Sequence, residues 1–286
     1  MPQASRGDSL AGERPGAPNH GRFVAASSTE TQRCRPRDWG DGPNLFGLAA
    51  SRSGGWGSAP VEASRHGDFF DALTIGFRVI FLLTDIAGPR AETHSIAAEA
   101  QFAFRERAWE LFSAPGANES DAIATLAHDV NRSLMEAANG VRFAPTFLGC
   151  FNVTLGILTY CNAGRVLAVF RDANSACVLE RGGVPLGLFT HVTYEPAVLA
   201  FEPQDQLLLV TKGVTESRRG AAEFGAKRVE RLLERSNGDA ASKICDAVLR
   251  EAYDFGNHPW SRVYDFLHPR KQRGNEDLTA VALVRR

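Results

Sequence analysis

The pattern of apolar and polar residues predicts short buried strands separated by longer amphipathic helices. Residues Arg78–Ile86 read RVIFLLTDI, a strongly apolar run with β-branched residues, which is typical of a buried strand. Similar apolar runs, separated by turn residues, occur over Thr146–Asp172, Thr190–Val214 and Leu278–Arg286. The chain therefore contains strands in at least four places.

Apolar residues at helical spacing fill the segments between these strands. Asn118 or Ser120 is suited to cap the helix predicted over Glu119–Ala138, and Gly140 is suited to end it. Two helices, then hairpins, then two helices and a last strand are typical of antiparallel sheets with helices packed outside, and so predict an α+β fold. The predicted helices are Ala91–Phe112, Glu119–Ala138, about Ala221–Arg235, and Asp239–Phe255.

The first 59 residues differ from the rest of the chain. They are rich in Gly, Pro, Ser and Arg, and such a composition buries too little apolar surface to offset chain entropy. We expect a disordered or loosely ordered extension over 1–59, followed by one domain over 60–286. Within the extension, the apolar segment NLFGLAA at Asn44–Ala50 has two interpretations, a first strand or a docking segment.

Composition excludes several classes of protein. The net charge of −1 over 286 residues gives no reason to expect a nucleic-acid or anionic-membrane partner. The five cysteines form no C-x-x-C pair, and the sequence has no H-E-x-x-H, G-x-S-x-G or phosphate-loop motif. No run approaches the roughly 18 apolar residues of a membrane span, and no signal-peptide core is visible, so we expect a cytoplasmic protein.

Acidic residues stand where predicted strands begin or end. Asp68 and Asp71 lie in GDFFD, Asp85 ends the strand LLTD, and Glu276 and Asp277 precede the last strand. Any one of these is ordinary turn chemistry. Brought together, however, their oxygens would bind a hard divalent cation such as Mg²⁺.

A series of short motifs runs in order along the ordered part of the chain. GDFFD is followed by TDIAG, LTYCNAGR, GGVPLGL, LLLVTKGVTES, EFG and EDLT. The series resembles the PPM-type metal-dependent protein serine/threonine phosphatases, in their SpoIIE-like and RsbU-like bacterial branch. The resemblance implies a four-layer β-sandwich of two mostly antiparallel sheets, with helices on both outer faces.

The resemblance also implies a chemistry. Members of this family hold two Mn²⁺ or Mg²⁺ ions between the sheets, and a metal-bound water attacks phosphoserine or phosphothreonine directly. Asp85 matches the bridging aspartate that holds this water, Ile86 matches a backbone carbonyl ligand, and Asp68 matches an acidic ligand. Glu276 and Asp277 match two consecutive aspartates near the end of the family pattern. The implied partner is a phosphorylated regulatory protein, such as a STAS-domain anti-anti-sigma factor.

Lys212 departs from the pattern, because it stands where the family has a metal-binding aspartate. An ammonium has no lone pair for a cation and repels one at close range. In one explanation it lies where an ion would be, paired with Asp85 and Glu276, and the chain is a weakened pseudo-phosphatase that binds its partner. In another, Lys212 turns to solvent and a neighbouring carboxylate completes two sites. A plain surface lysine in a turn is the third.

Overall fold

The computed structural model describes residues 44–50, 68–88, 90–140, 142–180, 182–257 and 278–285. Ten of its strands form two five-stranded antiparallel sheets, and the predicted α+β sandwich is confirmed. The first sheet has the order β1 (Asn44–Ala50), β12 (Leu278–Val284), β9 (Gln206–Val210), β6 (Leu167–Arg171) and β7 (Ala176–Val178). The second has the order β2 (Asp68–Ile75), β3 (Arg78–Asp85), β4 (Thr146–Asn152), β5 (Ile157–Ala163) and β8 (Ala197–Ala200).

Helices cover the outer face of each sheet. The helices α1 (Arg90–Ser113) and α2 (Glu119–Ala137) pack on the second sheet, whereas α4 (Ala226–Arg235) and α5 (Ala241–Gly256) pack on the first. A one-turn helix, α3 (Lys212–Thr215), follows β9 directly. No helix in the described part of the chain is long and apolar enough to cross a membrane.

The strands are apolar on both faces because each sheet is covered twice. In β3, Ile80 and Leu82 pack toward α1 and α2, while Phe81 and Leu83 pack between the sheets. The same alternation occurs in β9 of the other sheet. There Leu208 packs toward α4 and α5, while Leu207 and Leu209 pack between the sheets. A strand buried on both sides cannot alternate polar with apolar residues, which explains the continuous runs in the sequence.

Two predicted boundaries differ from the structure. The third predicted helix begins at about Ala221. In the structure, α4 begins at Ala226, after a small hairpin of β10 (Arg218–Arg219) and β11 (Ala222–Glu223). Gly220 and Gly225 both have positive φ, which ends local helical geometry and favours turns.

The predicted domain start near residue 60 also leaves out one strand. β1 pairs with β12 along all seven of its residues and forms an edge of the first sheet. Residues 44–50 therefore belong to the sandwich, and the strand interpretation of NLFGLAA is the one the structure favours. The remainder of the proposed extension lies outside the described residues.

Candidate active site

Two carboxylates meet where the ends of both sheets come together. The antiparallel register of β2 and β3 places Asp68 directly opposite Asp85. At the same end, the Thr211 N–H, just beyond β9, donates to the Thr279 carbonyl of β12 at 3.0 Å. The site is thus built at an edge that the two sheets share.

Hydroxyl groups from the first sheet hold a carboxylate of the second. The Asp68 side chain is buried, and its Oδ2 accepts hydrogen bonds from Thr211 Oγ1 at 2.7 Å and Thr279 Oγ1 at 2.9 Å. Thr211 Oγ1 in turn accepts from the Thr279 N–H at 3.2 Å. Both threonines lie in motifs that the sequence displays, TKG and EDLT, yet neither was among the predicted site residues.

The charge on Asp68 is unfavourable in the absence of a cation. Burial raises the pKa of this carboxyl well above its ordinary value, and the nearby Asp85 carboxylate raises it further. A hydrogen bond with Asp85 acts in the same direction, while the two threonine hydroxyls lower the pKa. A buried carboxyl group in contact with a second, partly buried one either shares a proton with it or binds a positive charge, so the pair fits a divalent cation.

The end of β3, which carries Asp85, and the residues after it are fixed by the segment just before β4. The Asp85 N–H donates to the Pro145 carbonyl and the Ala87 N–H donates to the Phe143 carbonyl, each at 3.0 Å. The predicted carbonyl donor, Ile86, lies between these two anchors and is fully buried. Three predicted positions, Asp68, Asp85 and Ile86, are therefore next to one another.

Lys212 lies on the other side of this site, at the start of α3. Its side chain is 58% exposed, and its Nζ lies 3.4 Å from Glu216 Oε1, one turn along the chain. This placement disfavours the explanation in which the Lys212 ammonium is buried at an ion position, and it agrees with both of the explanations in which the side chain faces solvent. Glu276 and Asp277 lie outside the described residues.

The described residues do not complete a second ligand set. Among them, no group of three or more His, Cys, Asp or Glu side chains is placed to hold a metal ion. What the described part of the sequence provides is the pair Asp68 and Asp85, with the backbone of Ile86 beside it.

A family model supports the resemblance seen in the motifs. The model described as stage II sporulation protein E (SpoIIE) matches residues 76–261, which is more than half of the chain. The chain belongs to the SpoIIE family. The predicted relationship to PPM-type phosphatases is therefore confirmed at the level of the family.

Solved structures show the same fold. The RsbU and RsbW domains of Rv1364c from Mycobacterium tuberculosis are 20% identical, with a TM-score of 0.64 over 86% of this chain and 62% of that one. The catalytic domain of the serine/threonine protein phosphatase PstP, solved with two manganese ions, is 11% identical, with a TM-score of 0.55 over 85% of this chain and 98% of that one. At these identities the likeness concerns the fold.

A curated relative is similar over a shorter stretch. Protein IcfG of Synechocystis sp. (strain ATCC 27184 / PCC 6803 / Kazusa) is 29% identical over 112 residues. This stretch is 38% of the present chain and 17% of IcfG, so the chain spans only a small part of that relative's length.

Proposed function

We propose that this SpoIIE-family chain is a metal-dependent protein phosphatase that hydrolyses phosphoserine or phosphothreonine on a regulatory protein. The observation that carries the proposal is the pair of the buried Asp68 and the partly buried Asp85, opposite each other on β2 and β3. The RsbU and RsbW domains of Rv1364c have the same fold. From the resemblance of the motif series to the SpoIIE-like and RsbU-like branch, the class of substrate we propose is a phosphorylated STAS-domain anti-anti-sigma factor.

The two carboxylates and the Ile86 carbonyl would hold Mn²⁺ or Mg²⁺, both of which prefer oxygen ligands. Such a cation would polarise the phosphoryl group and lower the pKa of an attacking water. PstP was solved with two manganese ions, which supports a metal requirement for this fold. In this proposal, the described residues of the present chain contribute the two carboxylates and the Ile86 carbonyl to one such ion.

The remaining residues of the site position these oxygens. Thr211 and Thr279 donate to one oxygen of Asp68, so the plane of that carboxylate is fixed before any ligand binds. The Asp85 backbone is anchored to Pro145, and the hydroxyls of Thr84 and Thr146, at 2.6 Å, tie β3 to β4 beside it. Preorganised ligands lose little freedom on binding, which favours both affinity and catalysis.

A second function is favoured by one observation, the presence of a lysine at position 212, where the family pattern has a metal-binding aspartate. If the aspartate expected here held the second cation, its replacement removes several kcal/mol of transition-state charge stabilisation. The chain would then bind a phosphorylated partner with little or no turnover. Both functions use the same Asp68–Asp85 pair, and they differ only in the rate of hydrolysis.

Hydrolysis of p-nitrophenyl phosphate in the presence of Mn²⁺ tests both functions. We expect Asp85→Asn to abolish any activity, and Lys212→Asp to raise the rate strongly, because it restores an oxygen ligand. Calorimetric titration with Mn²⁺ is expected to give one ion in the wild type and two in Lys212→Asp. A rate that is unaffected by Asp85→Asn would contradict the proposed centre, and a wild type as active as Lys212→Asp would contradict the role given to Lys212.

A further inference from the structure

Three large apolar side chains are exposed beside the loop that carries Asp85. Phe143 is 42% exposed, Leu188 is 43% exposed and Phe189 is 57% exposed. Single exposed apolar residues are common on protein surfaces, whereas contiguous exposed groups of them mark sites of interaction. These three side chains are called the rim patch below.

The backbone brings the three residues of the rim patch together. Ala144 and Leu186 exchange hydrogen bonds, with the Ala144 N–H at 2.8 Å from the Leu186 carbonyl. At the next position, Gly187 is so close to the segment before β4 that an added Cβ would lie 3.4 Å from the Phe143 Cα. Leu188 and Phe189 therefore emerge from the segment that packs against Phe143.

The backbone of the segment that carries Leu188 and Phe189 is held by hydrogen bonds to a buried side chain. The buried Asn131 accepts from the Gly187 N–H at 2.7 Å and donates to the Phe189 carbonyl at 3.1 Å. Tyr194 adds a third hydrogen bond to the same amide at 3.2 Å. A backbone fixed at both ends keeps its two outward side chains in place, so their exposure is a property of the fold.

The backbone of the rim patch lies close to the proposed centre, within reach of a protein substrate of ordinary interface size. The Phe143 carbonyl accepts from Ala87, which is two residues, or about 7 Å of extended chain, from Asp85. A protein–protein interface of standard size buries about 800 Å² per partner, a disc of about 15 Å radius. An interface of this size centred on Asp85 therefore reaches as far as the backbone of the rim patch.

We propose that the rim patch docks the apolar residues that flank the phosphorylated residue of the protein substrate. This inference rests on the proposed function and adds a specificity to it. Aromatic and large apolar side chains in a rigid frame contribute much of the affinity in protein interfaces. The salt bridge between Arg142 and Glu92 lies beside the patch and provides a polar border to it.

Four synthetic peptides test the inference by fluorescence anisotropy with Mn²⁺ in excess. Each has a central residue that is either serine or the non-hydrolysable methylene phosphonate analogue of phosphoserine, flanked on both sides by either leucines or serines. We expect the wild type to bind the leucine-flanked phosphonate about tenfold tighter than the serine-flanked one, which corresponds to partial burial of the leucines. The double variant Leu188→Ser/Phe189→Ser is expected to lose this preference.

Phe102→Ser is the matched control, because Phe102 is 59% exposed on α1 and lies outside the rim patch. It should retain the preference for leucine flanks. If the preference is missing in the wild type, or persists in the double variant, the inference is overturned. If the rim patch instead pairs two copies of this chain, the double variant will change the sedimentation coefficient and not the peptide preference, which also overturns it.

The same peptides separate this inference from the proposed function. If the proposed function is correct, Asp85→Asn removes the gain in affinity that the phosphonate gives, whatever the flanking residues. If the phosphonate gives no gain, the proposed function fails, while the effect of the flanking residues still reports on the rim patch.

Discussion

The two sides of the candidate site are built in different ways. Asp68 is buried, accepts two threonine hydroxyls from the opposite sheet and contacts Asp85. Lys212 is largely exposed on a one-turn helix and pairs with Glu216 at 3.4 Å. The comparison teaches that a side chain tied into a buried network is constrained by the fold, whereas an exposed one can change with little effect on stability. A lysine can therefore stand at the exposed position without unfolding the protein.

Removing the charge of Asp68 should have the largest effect. Asp68→Asn keeps the shape of the side chain, and we expect it to weaken Mn²⁺ binding by at least about 100-fold, more than the loss of a supporting residue does. Without metal, the same variant should raise the melting temperature, because it removes an unfavourable buried charge. Isothermal titration and calorimetric melting measure the two effects.

Asp71→Asn is the control for this prediction. Asp71 lies on the same strand, but Arg105 Nη2 donates to it at 2.7 Å and Gln101 Nε2 at 2.9 Å. Removing its charge should lower the melting temperature and leave Mn²⁺ binding in place. If Asp68→Asn binds Mn²⁺ as the wild type does, Asp68 is not a ligand.

Loss of a supporting hydroxyl should have the next largest effect. Thr279→Val removes one donor to the Asp68 carboxylate, and we expect it to lower the free energy of unfolding by about 1–3 kcal/mol, the cost of a buried polar group that loses a partner. Urea denaturation measures this change. Thr215→Val is the control, because the hydroxyl of this partly exposed threonine of α3 makes only an exposed hydrogen bond to the Lys212 carbonyl, and it should change stability by less than about 0.5 kcal/mol. Equal effects of the two variants would contradict the comparison.

The stability of the metal-free protein should fall as pH rises above about 4, the ordinary range of an aspartate. Because the pKa of Asp68 is raised in the folded state, the folded protein binds more protons than the unfolded one between the two pKa values. The free energy of unfolding therefore decreases with pH, by at most about 1.4 kcal/mol per pH unit for one group. Urea midpoints measured across pH should show this slope in the wild type and a weaker one in Asp68→Asn, and a rising slope would contradict the assignment.

Lys212→Ala should have the smallest effect on stability. An exposed ion pair within one helical turn contributes little, so we expect the free energy of unfolding to change by less than about 0.5 kcal/mol. Urea denaturation of this variant beside Thr279→Val compares the two sides of the site directly. A loss of more than about 1 kcal/mol would mean that the Lys212 side chain makes buried contacts.

The sequence alone determined the layered α+β architecture and the order of most elements, and its motif series singled out Asp68, Asp85 and Lys212 as candidates for the site. It could do so because strand and helix periodicity are local, and because the residues of each motif are close together in the chain. The hairpin before α4 was missed because a pattern of apolar residues does not show whether Gly220 and Gly225 have positive φ.

Only the tertiary structure decided which distant groups share the site. Thr279 and Asp68 are 211 positions apart, yet the Thr279 hydroxyl lies 2.9 Å from the Asp68 carboxylate. The sequence likewise contains Phe143, Leu188 and Phe189 but does not indicate that they are exposed beside one another. Such contacts depend on how two sheets stack and how separate loops meet at one edge, and no local pattern of side chains specifies that geometry.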